Sequence, residues 1–238
     1  MYSPEEPTFF PKRARNMCKF SDRGLRFSMR LALIHALRHS PPPIEEAFAR
    51  LWPGQTLMNL LDDSLSADLA REGKLTPRMT ERFLTLARYA AGTGADGILF
   101  TCSAFGPCIE ACAQDLAPMP VLKPNEAMIE QAITKGKRIG LLVTFAGTIP
   151  SMIPEFPPGI TVVPKLAEGA LAALDAGDFA THDRLAAEAA RDLADCDAIA
   201  LGQFSLARAK SLVEQATGKP VLTTPDSAVV KLKRLLGG

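Results

Sequence analysis

A cysteine at the end of an apolar segment is the side chain in this sequence best suited to chemistry. The segment Gly97–Pro107 runs through apolar residues to Cys102 and then through small residues to Pro107, where a helix is predicted to begin. Cys102 is thus expected at the carboxyl end of a strand, where open α/β sheets bind ligands, and near a helix N-terminus, which favours a thiolate. The alternative is a small apolar residue that completes a buried strand.

The Cys102 segment has a counterpart later in the chain. Asp96–Cys102 matches Asp197–Gln203, since each runs from an aspartate through an apolar strand to a small residue and then a thiol or an amide. Downstream, Pro120–Leu122 matches Pro220–Leu222. This pattern predicts a duplicated strand–helix–strand–helix unit. Two such halves facing each other would bring Cys102 and Gln203 to one cleft.

Polar side chains also follow other predicted strands. His35 lies near the end of the strand Arg30–Ala36, and Asp63 and Ser64 follow the strand Thr56–Leu61. For Asp63 and Ser64, capping of the next helix is an equally good explanation. After the strand that ends at Val143, Thr144 and Phe145 begin a loop of small and polar residues.

Two further cysteines, Cys108 and Cys112, lie four residues apart and so share one face of the predicted helix. With Cys102 they could be considered metal ligands. The spacing matches no standard zinc pattern and no histidine lies nearby in the sequence, so core packing is the favoured interpretation and no metal site is predicted.

Strands alternate with helices along the whole chain, which predicts a doubly wound, parallel α/β fold. One long helix is expected from Thr76–Pro77 to about Ala91, whereas the proline-rich residues 150–158 are expected to be irregular. The sequence contains neither GxGxxG nor GxxxxGK[ST], the two glycine-rich nucleotide-binding motifs.

Composition excludes several functional classes. The 238 residues are 47% hydrophobic and carry a net charge of +1, which gives no electrostatic case for nucleic acid or an anionic membrane. No apolar run approaches the length of a membrane span. An odd number of cysteines, five, is typical of a reducing compartment, and we expect a cytoplasmic protein. Residues 1–28, rich in proline and basic side chains, are predicted to be a disordered or surface arm.

From about Met29 to its end, the chain resembles the Asp/Glu/hydantoin racemase superfamily, which also includes maleate isomerases and arylmalonate decarboxylases. The resemblance rests on the Cys-Ser-x-x-Gly element at Cys102, the segments Gly136–Thr144 and Asp197–Gly202, and the Pro-Val-Leu element at Pro220. It implies two pseudo-symmetric lobes, each a parallel sheet flanked by helices, with the active site in the cleft between them. The expected lobes are residues 29–123 with 222–238, and residues 124–221. Members need no metal or organic cofactor, and a homodimer or larger homo-oligomer is left open.

The resemblance also implies roles for individual residues. Cys102 matches the first-lobe cysteine, and Ser103 and Thr144 match positions that bind the substrate carboxylate. Gln203 occupies the position of the second-lobe cysteine, which is a departure from the family pattern. The remaining predicted substrate-binding residues are His35, Asp63, Ser64, Ala104, Phe105 and Phe145.

The departure at Gln203 restricts the chemistry. Removing a proton next to a carboxylate needs a base and a site that stabilises the enolate, but an amide cannot titrate. Cys196 lies at the other end of its strand, roughly 23 Å away at about 3.3 Å per residue. Racemisation by two thiols is therefore disfavoured.

Four interpretations remain open. One is a racemase- or isomerase-like enzyme acting on a small amino acid or related carboxylic acid through Cys102 alone. Another is racemisation in which His35 or Asp63 serves as the second base. The others are decarboxylation of a malonate-type acid, and a binding protein without catalysis.

Overall fold

The protein is described here by a computed structural model that covers residues 28–237. The predicted arm at residues 1–28 lies outside this range except for Ser28. Two four-stranded parallel sheets form the framework. The first contains β1 (Arg30–His35), β2 (Thr56–Leu61), β3 (Gly97–Phe100) and β4 (Val121–Leu122). The second contains β5 (Arg138–Val143), β6 (Thr161–Leu166), β7 (Ala198–Leu201) and β8 (Val221–Thr223).

Helices connect the strands and cover the sheets. They are α1 (Pro41–Leu51), α2 (Ser64–Glu72), α3 (Pro77–Gly92), α4 (Gly106–Asp115), α5 (Glu126–Ile133), α6 (Thr148–Met152), α7 (Ala170–Asp175), α8 (Phe179–Ala190), α9 (Lys210–Thr217) and α10 (Thr224–Leu235). Short 3-10 turns, residues 103–105 and 204–209, follow β3 and β7. Within residues 28–237, no helix combines the length and apolar character needed to cross a bilayer.

The two sheets repeat one plan, as the sequence predicts. Their strand orders are β2-β1-β3-β4 and β6-β5-β7-β8. The repeat extends to single hydrogen bonds at the start of the central strands. The Asp96 carboxylate accepts from the backbone N–H of Arg30 at 2.8 Å, and the Asp197 carboxylate accepts from that of Arg138 at 2.8 Å. Both aspartates therefore fix the register of equivalent strand pairs.

The sequence explains why these strands occupy the centre of each sheet. β3 and β7 are apolar and buried at every position, which is typical of strands covered by helices on both faces. The edge strands β2 and β6 are only partly buried. Thr76 caps α3 as predicted, since its hydroxyl accepts from the Met79 N–H.

The last helix of each half packs on the other half. Met128 and Ile129 of α5 lie in a core cluster with strands β5 and β7, whereas Val229 and Leu232 of α10 lie in a cluster with β1 and β3. The expected lobe division assigns α5 to the second lobe and α10 to the first. Leu222, however, pairs with β7 and lies in the second sheet.

One segment differs from the sequence-based predictions. Residues 148–155, within and beside the stretch expected to be irregular, form α6 and a 3-10 turn, and Met152 of α6 is fully buried. Helix α2 begins directly after Asp63, as the capping interpretation of that residue assumes. The helix predicted from about Pro107 is α4, which begins at Gly106 after a 3-10 turn.

Candidate active site

A cavity of about 720 Å³ lies where the carboxyl ends of the central strands meet. The turns after β1, β3 and β7 all reach it, as does the loop after β5. Its volume is in the range of small-molecule sites. Of the predicted residues, Cys102, Gln203, Asp63, Ser103, Ala104 and Phe145 line this cavity. The two halves thus contribute their matched thiol and amide to one space.

Cys102 is half-buried and lines the cavity. Burial raises the pKa of this thiol, because a thiolate there would lose hydration. The nearby Ala104 backbone N–H and Ser66 hydroxyl lower the pKa of the thiol but only partly oppose the effect of burial. In contrast to the expectation of a thiolate, the resting group at neutral pH is therefore a protonated thiol.

Gln203 is held by Thr144 in a defined orientation. The backbone N–H and the hydroxyl of Thr144 donate to Oε1 of Gln203 at 2.6 and 2.8 Å. Because a backbone N–H can only donate, the amide oxygen must point at Thr144. The amide nitrogen is then the part of the side chain left to serve a ligand. Thr144, predicted to bind substrate, instead uses both donors to orient Gln203.

Two contacts between basic and acidic side chains lie at the cavity wall. The Asp63 carboxylate accepts from Nε of Arg38 at 2.5 Å, so its partner is this guanidinium, and it makes no capping hydrogen bond to α2. Nε2 of His39, from the first half, lies 3.3 Å from the carboxylate of Asp175, which ends α7 in the second half. All four residues line the cavity.

The loop after β5 places an aromatic ring over a glycine. Phe145 is 57% exposed and lines the cavity. A Cβ at Gly147 would lie 2.5 Å from the Phe145 ring, so only glycine lets the ring occupy this position. The exposed ring provides an apolar surface at the wall of the cavity.

His35 does not reach the cavity wall, contrary to prediction. It is fully buried, with Nε2 2.9 Å from Oδ1 of Asn59 and Nδ1 2.8 Å from the hydroxyl of Thr101. Asn59 donates its amide N–H to Glu45 at 2.6 Å, so its oxygen accepts and Nε2 of His35 carries the proton. Burial lowers the pKa of His35, which keeps the ring neutral. His35 therefore fixes the hydroxyl of Thr101, the residue that precedes Cys102, through a hydrogen bond.

Besides Thr144, two other predicted residues also lie away from the cavity wall. The Ser64 hydroxyl donates to Asp62 at 2.6 Å and accepts from Arg82 at 2.6 Å, which places it in an ion-pair network. Phe105 is fully buried and its ring centroid lies 4.8 Å from that of Phe83. The 3-10 turn directs Phe105 into the core. Cys108 and Cys112 are also buried in that core, as expected.

Comparison with known proteins agrees with this architecture. The sequence profile described as Asp/Glu/Hydantoin racemase matches residues 43–232. The chain belongs to the Asp/Glu/hydantoin racemase family. Among curated proteins, none matches it by sequence.

Solved structures of racemases and a decarboxylase share the fold of this family member. Aspartate racemase from Picrophilus torridus matches with a TM-score of 0.69 at 11% identity, covering 88% of this chain and 95% of that one. Allantoin racemase from Klebsiella pneumoniae matches with a TM-score of 0.68 at 19% identity, covering 88% of each chain. Unliganded arylmalonate decarboxylase matches with a TM-score of 0.64 at 18% identity, covering 89% and 94%.

Several cavity residues of this racemase-family protein were not predicted from the sequence. They include Arg38, His39, Ser66, Asn125 and Thr148. Arg38 and His39 could have been predicted from the sequence, because they follow the carboxyl end of the first strand of a parallel sheet, where ligands bind. Within residues 28–237, no cluster of three or more histidine, cysteine or acidic side chains could hold a metal ion.

Proposed function

We propose that this protein is a racemase- or isomerase-like enzyme that moves a proton at the carbon next to a carboxylate in a small carboxylic acid, without a cofactor. Cys102 is the one thiol acid/base. The observation that carries the proposal is the pairing of Cys102 and Gln203, which hold matched positions in the two halves and line the same cavity. Family membership supports this type of chemistry.

The cavity offers hydrogen-bond donors to a carboxylate and to the enolate formed from it. The amide nitrogen of Gln203, which Thr144 orients, supplies N–H donors, and the Ser103 hydroxyl supplies an O–H donor. Donors of this kind stabilise negative charge that develops in the transition state. The thiolate form of Cys102 removes the proton from one face of the substrate carbon. The resulting thiol exchanges with solvent and returns a proton or deuteron to the same face.

Racemisation would need a second titratable group at the cavity. His35 is enclosed within a hydrogen-bond network and does not line the cavity, so it is not proposed. Asp63 does line the cavity, but it is paired with Arg38. His39 also lines the cavity, but its ring lies 3.3 Å from the Asp175 carboxylate and is engaged there. We therefore favour proton transfer through one thiol.

A second candidate is decarboxylation of a malonate-type acid, which the raised pKa of Cys102 favours. Loss of CO2 leaves the electron pair on the substrate as an enolate. The Cys102 S–H then protonates the carbon, and the thiolate regains a proton from water. A protonated resting thiol is the form that this step requires.

The test is deuterium incorporation from heavy water over amino acids, hydantoins and substituted malonates, with CO2 release followed for the malonates. Wild type should exchange or decarboxylate at least one class, and Cys102→Ala should do neither. Gln203→Cys should gain racemisation if the two positions face the same carbon. A wild-type protein that binds these acids without exchange or CO2 release would instead be a binding protein.

A further inference from the structure

Asn125 carries a buried amide that folding does not explain. The residue is 1% exposed and occupies the N-cap position of α5, yet its side chain makes no capping hydrogen bond. Its Nδ2 is buried without a hydrogen-bond partner among the described residues. Leaving a buried donor unused destabilises a protein, so such a group calls for a role outside folding.

Asn125 lies on the cavity wall beside the reactive thiol. Strands β3 and β4 pair Leu99 with Leu122, and Cys102 and Asn125 each follow their paired residue by three positions. The parallel register therefore carries both to the same edge of the sheet. Both residues line the cavity. The unpartnered amide of Asn125 therefore lies next to the space that Cys102 borders.

The duplicated half indicates that this turn does not need an amide to fold. Strand β8 repeats β4, and Pro225 follows Leu222 by three positions, as Asn125 follows Leu122. Pro225 is buried in the first turn of α10 and has no side-chain donor. The second connection is shorter, because α10 begins at Thr224 with the Thr223 hydroxyl as its cap, whereas α5 begins after Asn125. Neither connection uses a side-chain amide to start its helix.

Glu155 supplies the competing explanation for Asn125. Its carboxyl lies close enough for Asn125 to favour the charged form, while burial raises its pKa overall. No hydrogen bond of normal geometry joins Nδ2 to this carboxyl. An amide that served Glu155 would be expected to complete that bond.

We propose that Asn125 is a specificity-determining residue whose Nδ2 donates a hydrogen bond to a second acceptor oxygen of the substrate. This inference rests on the proposed function, in which Gln203 and Ser103 bind one carboxylate. The substrate class is then carboxylic acids with another carbonyl or carboxylate oxygen close to the reacting carbon. Acids that carry only an apolar substituent there leave Nδ2 unsatisfied and bind more weakly.

The experiment measures binding by calorimetry with phenylmalonate and phenylacetate, which differ by one carboxylate. All variants carry Cys102→Ala so that neither probe is turned over. The parent should bind phenylmalonate about tenfold or more tightly than phenylacetate, as expected for one buried hydrogen bond to a charged group. Adding Asn125→Leu, which keeps a similar shape without donors, should abolish the preference. Its Tm should stay equal or rise, because an unsatisfied donor is removed.

Glu155→Gln is the matched control and should keep the preference for phenylmalonate. The inference is overturned if Asn125→Leu keeps the preference, if it lowers the Tm, or if the parent binds both probes equally or neither. It is also overturned if Glu155→Gln removes the preference as Asn125→Leu does. Absence of exchange or CO2 release by wild type in the heavy-water test would refute the proposed function alone, since probe preference is measured without turnover.

Discussion

Replacing Gln203 by glutamate tests whether its amide faces the substrate carboxylate. A glutamate can still accept both hydrogen bonds from Thr144, at 2.6 and 2.8 Å in the present structure, so its position should be retained. The N–H donors, however, become a negatively charged oxygen. Two unit charges about 4 Å apart repel by about 4 kcal/mol at an effective dielectric constant near 20.

This repulsion corresponds to about a thousandfold weaker binding of a monocarboxylate at neutral pH. The assay is the Kd of phenylacetate by calorimetry, with the Tm as a check that the fold is intact. Gln203→Met, neutral and of similar length, is the control and should weaken binding about tenfold through lost hydrogen bonds. Equal affinities of Gln203→Glu and Gln203→Met would refute the reasoning, because the added charge would then meet no carboxylate.

Three further predictions follow from burial. Iodoacetamide should alkylate Cys102 slowly at pH 7, because burial raises the pKa of this thiol. The rate, followed by peptide mass spectrometry, should increase at a higher pH than it does for an ordinary thiol. Fast alkylation at pH 7 would contradict this prediction. Because the pKa of His35 is lowered in the folded protein, the unfolded chain binds a proton at a higher pH than the folded protein does. The urea midpoint should therefore fall as the pH drops below about 6.5, and it should fall less steeply in His35→Gln. Phe105→Ala should lower the free energy of unfolding, measured by urea titration, by about 3–5 kcal/mol, because the ring is fully buried. Phe145→Ala should change it by less than about 1 kcal/mol, because that ring is exposed. Similar losses in the two variants would contradict the difference in burial.

The repeating architecture was accessible from sequence because strands buried on both faces are continuous apolar runs. The Asp96 and Asp197 segments have equivalent hydrogen bonds, and this equivalence correctly located Cys102 and Gln203 at strand ends. Family resemblance then gave the two-lobed arrangement. These features depend on local pattern, which a single sequence contains.

Side-chain direction was less accessible, since it depends on neighbours from distant segments. His35 and Thr144 were correctly expected near the sheet edge, but Thr101 and Gln203 respectively engage their polar atoms. Phe105 is turned into the core by a 3-10 turn that the sequence did not reveal. Asn125 was missed because its sequence context is that of an ordinary helix cap.

The difference between the matched residues Cys102 and Gln203 has a stereochemical consequence under the proposed function. A flat, prochiral carbon held between them can receive hydrogen from the sulfur side, whereas the amide side has no proton to give up. The product would then leave as a single mirror-image form, with its handedness set by which repeat kept the sulfur. A fold made of two similar halves would in this way give an enantioselective catalyst through a difference at one pair of matched residues.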